Sequence, residues 1–70
     1  MDSADDLAAG IGTAVRRARK DAGLTQQQLG ELAGLSDRTI REIETGSGSP
    51  GLRSVLTVIT VLGLSFTVTP

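Results

Sequence analysis

Between Leu24 and Gly46 two segments each open on a hydroxyl residue, Thr25 and Ser36, and the first closes at Gly34. A hydroxyl residue at the first position accepts a hydrogen bond from a first-turn amide and starts a helix. A glycine at the last position takes the left-handed conformation that ends one. Gln28, three residues after Thr25, completes a capping box. The segment therefore reads as two short helices joined by a tight turn. Leu29, Leu32 and Ala33 are the inward residues of the first, and Leu35 packs inward from the turn. At 100° per residue Ile40 and Ile43 of the second point to the core. Asp37, Arg38, Arg41, Glu42 and Thr45 then lie on the opposite side.

The flanking segments supply the rest of a small core. Ser3 caps a first helix, with Asp6 as the acid of a capping box. Leu7, Ile11, Val15, Ala18 and Ala22 recur at spacings of three and four, one face of an amphipathic helix. Gly23 stops it. Gly10 and Gly12 weaken its middle by roughly 1 kcal/mol each relative to alanine, and offer room for another helix to come close. Gly46–Gly51 is a turn-rich loop. Ser49 is the expected cap of a fourth helix with Pro50 at its first position, running to Leu62 with Gly63 as its stop. Leu52, Val55, Leu56, Ile59 and Leu62 form its inner stripe. Val58 and Val61 fall outside that stripe and are expected at a contact with a partner chain. The β-branched run Val55–Val61 also fits a strand. Leu64–Thr69 alternates Leu64, Phe66 and Val68 with Ser65, Thr67 and Thr69, the period of a strand. No other segment is a clear neighbour for it. Pairing with the same strand of a second copy across a twofold axis would satisfy its backbone. Val58, Val61, Leu64, Phe66 and Val68 are thus the expected dimerisation residues.

Seventy residues make one small domain, residues 1–70, with the paired short helices at 25–45 and a dimerisation helix and strand at 51–69. Such a chain buries only about 60% of its unfolded surface and gains from assembly. The sequence has no Cys and no His. That removes disulfides and most zinc sites, so no metal and no cofactor is expected. It also leaves catalysis to carboxylates, Ser, Thr or Lys, and no nucleophile elbow, phosphate loop or metal-ligand spacing occurs. The chain is not expected to be an enzyme. Its net charge is −1, but the charges are segregated: Asp2, Asp5 and Asp6 at the start, Arg16, Arg17, Arg19 and Lys20 at the end of the first helix. Those cations fit both helix-dipole chemistry and phosphate contact. The start lacks the basic and apolar regions of a signal peptide. The apolar tail is shorter than the roughly 20 residues that span a bilayer. A cytoplasmic protein is expected.

Two short helices, a tight turn and a charged outer face on the second helix form a helix-turn-helix, which lays one helix in the DNA major groove. The stretch LTQQQLGELAGLSDRTIREIETG resembles the helix-turn-helix of the Cro/cI/Xre repressors. Leu-Thr-Gln, Leu-Gly-Glu-Leu-Ala-Gly-Leu-Ser, Thr-Ile, Ile-Glu and Gly carry the resemblance, continued by Ser49-Pro50 and Leu62-Gly63-Leu64. The resemblance implies an all-α, lambda-repressor-like bundle of about four helices, here with a C-terminal β-strand pairing across a homodimer. It implies a sequence-specific repressor on a palindromic operator of double-stranded DNA. The tail from Leu62 to Val68 is similar to that of HipB-type antitoxins, which repress their own operon and bind a HipA-like kinase toxin. By this resemblance Gln26 and Ser36 take phosphate-contacting positions, and Asp37, Arg38, Thr39 and Arg41 belong to the reading helix. Arg38 or Arg41 can take guanine O6 and N7 in a bidentate way. Asp37 departs from the usual neutral or basic residue.

A plainer account of the reading helix exists. Asp37 and Arg41, like Arg38 and Glu42, are four apart, the spacing of intrahelical ion pairs on a solvated face. Glu44 reads as structural, fixing the turn before Gly46, and Phe66 as a dimer-core residue. The alternative function is therefore a protein-interaction module on the same scaffold, with weak or partner-dependent DNA binding.

Overall fold

A computed structural model describes residues 3–70; Asp2, part of the acidic start, lies outside them. Four helices follow in order among the described residues: α1 (Ala4–Asp21), α2 (Gln26–Ala33), α3 (Asp37–Thr45) and α4 (Leu52–Val61). Their ends follow local chemistry. Ser3 accepts from the Asp6 amide and Thr25 from the Gln28 amide, and in both cases the return bond closes the capping box. Ser36 accepts from the Thr39 amide at 3.1 Å. Every helix also stops in the same way. Gly23, Gly34, Gly46 and Gly63 sit at φ of 72°, 70°, 69° and 71°. The amide of the following residue reaches back to a carbonyl five positions earlier: Leu24 to Arg19, Leu35 to Gly30, Ser47 to Glu42, Leu64 to Ile59. This is the Schellman arrangement, and it satisfies carbonyls that a helix end would leave open. Three of those four residues, Leu24, Leu35 and Leu64, also pack against the core, so each stop doubles as an anchor.

α3 lies at the centre, packed on both α1 and α2, with α4 set against α2. Val15, Leu29, Ile40, Ile43, Val58 and Ile59 are the buried apolar residues. Gly12 sets the spacing of α1 and α3. A Cβ there would collide with the carbonyl oxygens of Ile43 and Glu44, so only glycine admits the end of α3. Gly10 has open space around it and serves no such approach.

Several inward faces are rotated from those read in the sequence. On α2 the buried side runs through Leu29 and Gly30, which leaves Leu32 62% exposed. On α1 Leu7 and Ala22 are exposed, while Gly12 and Arg19 are buried. On α4 the buried residues are Val58 and Ile59, and Leu52 is exposed. Val58, expected at a dimer contact, is 0% exposed within its own chain and has no surface to give a partner. The residues of Val55–Val61 are helical, because burial of one face outweighs the weak β-preference of their side chains. Ser49 does not cap this helix. Gly51 is the N-cap and no side chain bonds there. Pro50 borders a cleft with Ala8, Ile11, Ile43 and Val55, and the helix starts two residues later than the sequence suggested.

The expected strand at Leu64–Thr69 is not formed within the chain. A strand exists through its hydrogen-bonded neighbour, and no described segment forms a ladder with this one. Leu64 anchors the start of the tail on the core; Phe66 borders a shallow groove with Ile11, Ala14, Val15 and Ile59. No described helix is long and apolar enough to cross a membrane.

Candidate nucleic-acid interface

A buried ion pair adds to the apolar core in setting α3 against α1 and the entry to α2. Arg19, near the end of α1, donates from Nε to Glu44 Oε2 at 2.6 Å and from Nη2 to Glu44 Oε1 at 3.0 Å. Its Nη1 donates to the Leu24 carbonyl at 2.8 Å, across the turn into α2. The two side chains keep 10% and 2% of their exposure. The bidentate bond to Glu44 raises the Arg19 pKa above its ordinary value; burial opposes the rise and the carboxylate charge adds to it. One guanidinium thus ties the end of α1, the entry to α2 and the last turn of α3. A fork of this kind fixes direction as well as distance. Gln26 joins the cluster, donating from Nε2 to Glu44 Oε1 at 3.4 Å. Gln26 is therefore placed by α3 as well as by its own helix.

On α3, Ile40 and Ile43 face the core with Glu44. Ser36, Asp37, Arg38 and Arg41 are exposed on the other side. Thr39 is half-buried at the flank, its hydroxyl 3.0 Å from that of Ser36. The two arginines are not free. Arg38 Nε donates to Glu42 Oε1 at 3.1 Å, and Arg41 Nη2 lies 3.6 Å from Asp37 Oδ2. Only the Asp37–Arg41 pair has the acid on the N-terminal side, the order the helix dipole favours. The outer face of α3 so carries two cations and two anions, each paired within the helix.

The sequence pattern of the helix-turn-helix family matches residues 15–68, which take in α2, the glycine turn and α3. This chain belongs to the helix-turn-helix family. An uncharacterized HTH-type transcriptional regulator of Methanothermobacter thermautotrophicus is 45% identical to it over 40 residues. Those residues span 57% of this chain and 58% of that protein's length.

Within the helix-turn-helix unit the structure brings Gln26 and Glu44 together and sets Ser36, Asp37, Arg38 and Arg41 on one exposed surface. The five residues expected at a dimer contact are dispersed. Val58 is in the core, Leu64 is half-buried on it, and Val61, Phe66 and Val68 are exposed. The Arg19–Glu44 pair is the feature that sequence reasoning missed. Counting Arg19 among the basic residues at the helix end hid its position. The step of four from Ile11 to Val15 to Arg19 is the signal that turns it inward.

Proposed function

We propose that this protein is a sequence-specific DNA-binding repressor that acts as a homodimer on a palindromic operator. The observation that carries the reading is the outer face of α3. Four polar and charged residues stand exposed there on a helix that the buried Ile40, Ile43 and Glu44 fix to the rest of the bundle. Arg38 and Arg41 have the length and the forked donors to reach guanine O6 and N7. Gln26, Ser36 and Thr39 sit at the helix starts, where side chains and amides meet phosphate. Family membership and the name of the archaeal relative support regulation of transcription as the outcome.

Dimerisation rests on the tail. Val61, Phe66 and Val68 expose apolar surface, and the backbone of Leu64–Thr69 has no ladder partner among the described residues. Antiparallel pairing of two tails would meet both needs. Two reading helices would then occupy major grooves about 34–36 Å apart. The resemblance of the tail to HipB-type antitoxins supports the narrower role of an autoregulating, cytoplasmic antitoxin with a HipA-like kinase as partner. The paired charges on α3 favour a second reading, an interaction module with weak DNA binding of its own.

Titration of the protein against duplex from upstream of its own gene, at two salt concentrations and beside scrambled duplex, separates the two. Promoter-specific binding whose affinity falls steeply with salt supports the repressor, because neutralised phosphates release counterions. Equal, weak binding to both duplexes supports the module. Arg38→Ala should relax discrimination at one operator base pair by roughly 1–3 kcal/mol, read from the relative affinities of single-base operator variants.

A further inference from the structure

Glu42 is seated in a way that the other acid of the reading face is not. Asp37 and its partner Arg41 both keep more than half of their side-chain exposure. Glu42 keeps 28%, against 82% for its partner Arg38. Its carboxylate lies over Gly48, in the loop between α3 and α4. A Cβ at Gly48 would collide with Glu42 Oε2, Cδ and Cγ. Gly48 also sits at φ 69°, a conformation side chains disfavour, so the backbone calls for glycine there while the Glu42 side chain is what a Cβ would displace. The carboxylate is the more enclosed member of this pair and the guanidinium the more exposed one.

The bond between them has a defined shape. Arg38 is held through Nε, which donates to Glu42 Oε1 at 3.1 Å. The two terminal Nη groups, the end of the fork that meets guanine O6 and N7 together, have no partner in that contact. An exposed intrahelical pair shifts an equilibrium by only about 2-fold, too little to withhold the arginine from DNA but enough to bias where its fork points. The carboxylate also offsets one positive charge on the reading face. Non-specific binding depends on unpaired cations that displace counterions, so it is the binding mode this pair weakens.

We infer that Glu42, seated on Gly48, is a positioning residue that holds Arg38 by Nε with its Nη fork presented end-on to a guanine edge, and so sharpens base discrimination. The inference rests on the DNA-reading role of α3 proposed above. Two effects separate in two variants. Glu42→Gln removes the charge and weakens the hold. Gly48→Ala pushes the carboxylate off its seat with the net charge unchanged.

The experiment starts by selecting a preferred duplex with the wild-type protein from a randomised pool. Binding of wild type, E42Q and G48A to that duplex and to its single-base variants is then measured across a salt series, with thermal melts confirming that each variant is folded. Wild type should prefer guanine at one position of each half-site by about 5- to 150-fold, the range of a good bidentate pair. E42Q should lower that preference by about 2-fold, the weight of an exposed intrahelical pair, bind unrelated duplex more tightly, and steepen the log–log salt slope by about one, as for one added phosphate contact. G48A should lower guanine preference by a similar factor with the salt slope unchanged. Should G48A fail to fold, E42Q alone decides. Unchanged base preference in E42Q overturns the role of Glu42 and leaves the DNA reading intact. A wild-type protein that selects no duplex overturns both.

Discussion

Replacing Glu44 with alanine should destabilise the fold by about 3 kcal/mol, the lower end of the range for breaking a buried ion pair by removing one partner. The loss comes less from the pair itself than from what remains. Arg19 would stay nearly buried, its guanidinium facing a space where two charge-assisted bonds had been, with the Leu24 carbonyl as its one remaining acceptor. A domain of this length has a total stability of roughly 4–10 kcal/mol, so the loss takes about a third to three quarters of it. The melting temperature should fall by roughly 12–24 °C, at about 4–8 °C per kcal/mol. The double variant Arg19→Met with Glu44→Leu should recover most of that loss, since apolar replacement of a buried pair is often neutral or better. Thermal melts of Arg19→Met, Glu44→Leu and the double variant give the coupling. A Glu44→Ala protein that melts with the wild type would show that the pair carries no structural load. Recovery of the fold without recovery of DNA binding would show that Glu44 also serves to place Gln26, its 3.4 Å neighbour.

The second large effect concerns assembly. Phe66 and Val68 are 47% and 82% exposed in the single chain, so placing charge there should leave the fold intact. Phe66→Asp with Val68→Asp should abolish the proposed tail pairing, through like charges brought face to face and lost apolar contact. Two reading helices would then act separately, and affinity for a two-half-site duplex should fall by about 10²–10⁴-fold. Binding to a single half-site should be nearly unchanged. Sedimentation of the variant beside the wild type checks the first step, and titration of both duplexes the second. A variant that sediments as the wild type does would place any dimer contact elsewhere on the surface.

Local chemistry was legible, and neighbours were not. The caps at Ser3, Thr25 and Ser36 and the stops at Gly23, Gly34 and Gly63 depend on residues within one turn, so spacing alone located them. Which flank of each helix is covered depends on what packs there. Leu32 and Leu52 belong to apolar stripes yet stand in solvent, because the covered arc is rotated toward Gly30 on α2 and toward Val58 on α4. Ser49 next to Pro50 has the chemistry of a helix start, but α4 begins after Gly51. The same division holds at the site. Ser36, Asp37, Arg38 and Arg41 follow from helical geometry and are exposed as a set. The bond between Arg19 and Glu44 joins residues 25 positions apart, and no local rule couples them. The seat of Glu42 depends on Gly48 in a loop whose path is not periodic.

The missing cap at the start of α4 has a kinetic consequence. Its first-turn amides have no side-chain acceptor, whereas α1, α2 and α3 each open under a hydroxyl. In native-state hydrogen exchange the first turn of α4, together with the tail, should open ahead of the rest as the least protected unit. Partner pairing would close that opening by mass action. Protection of the chain's last third should therefore climb with protein concentration while that of α1 to α3 stays level, and order at this end of the molecule would be a property of the pair rather than of the chain.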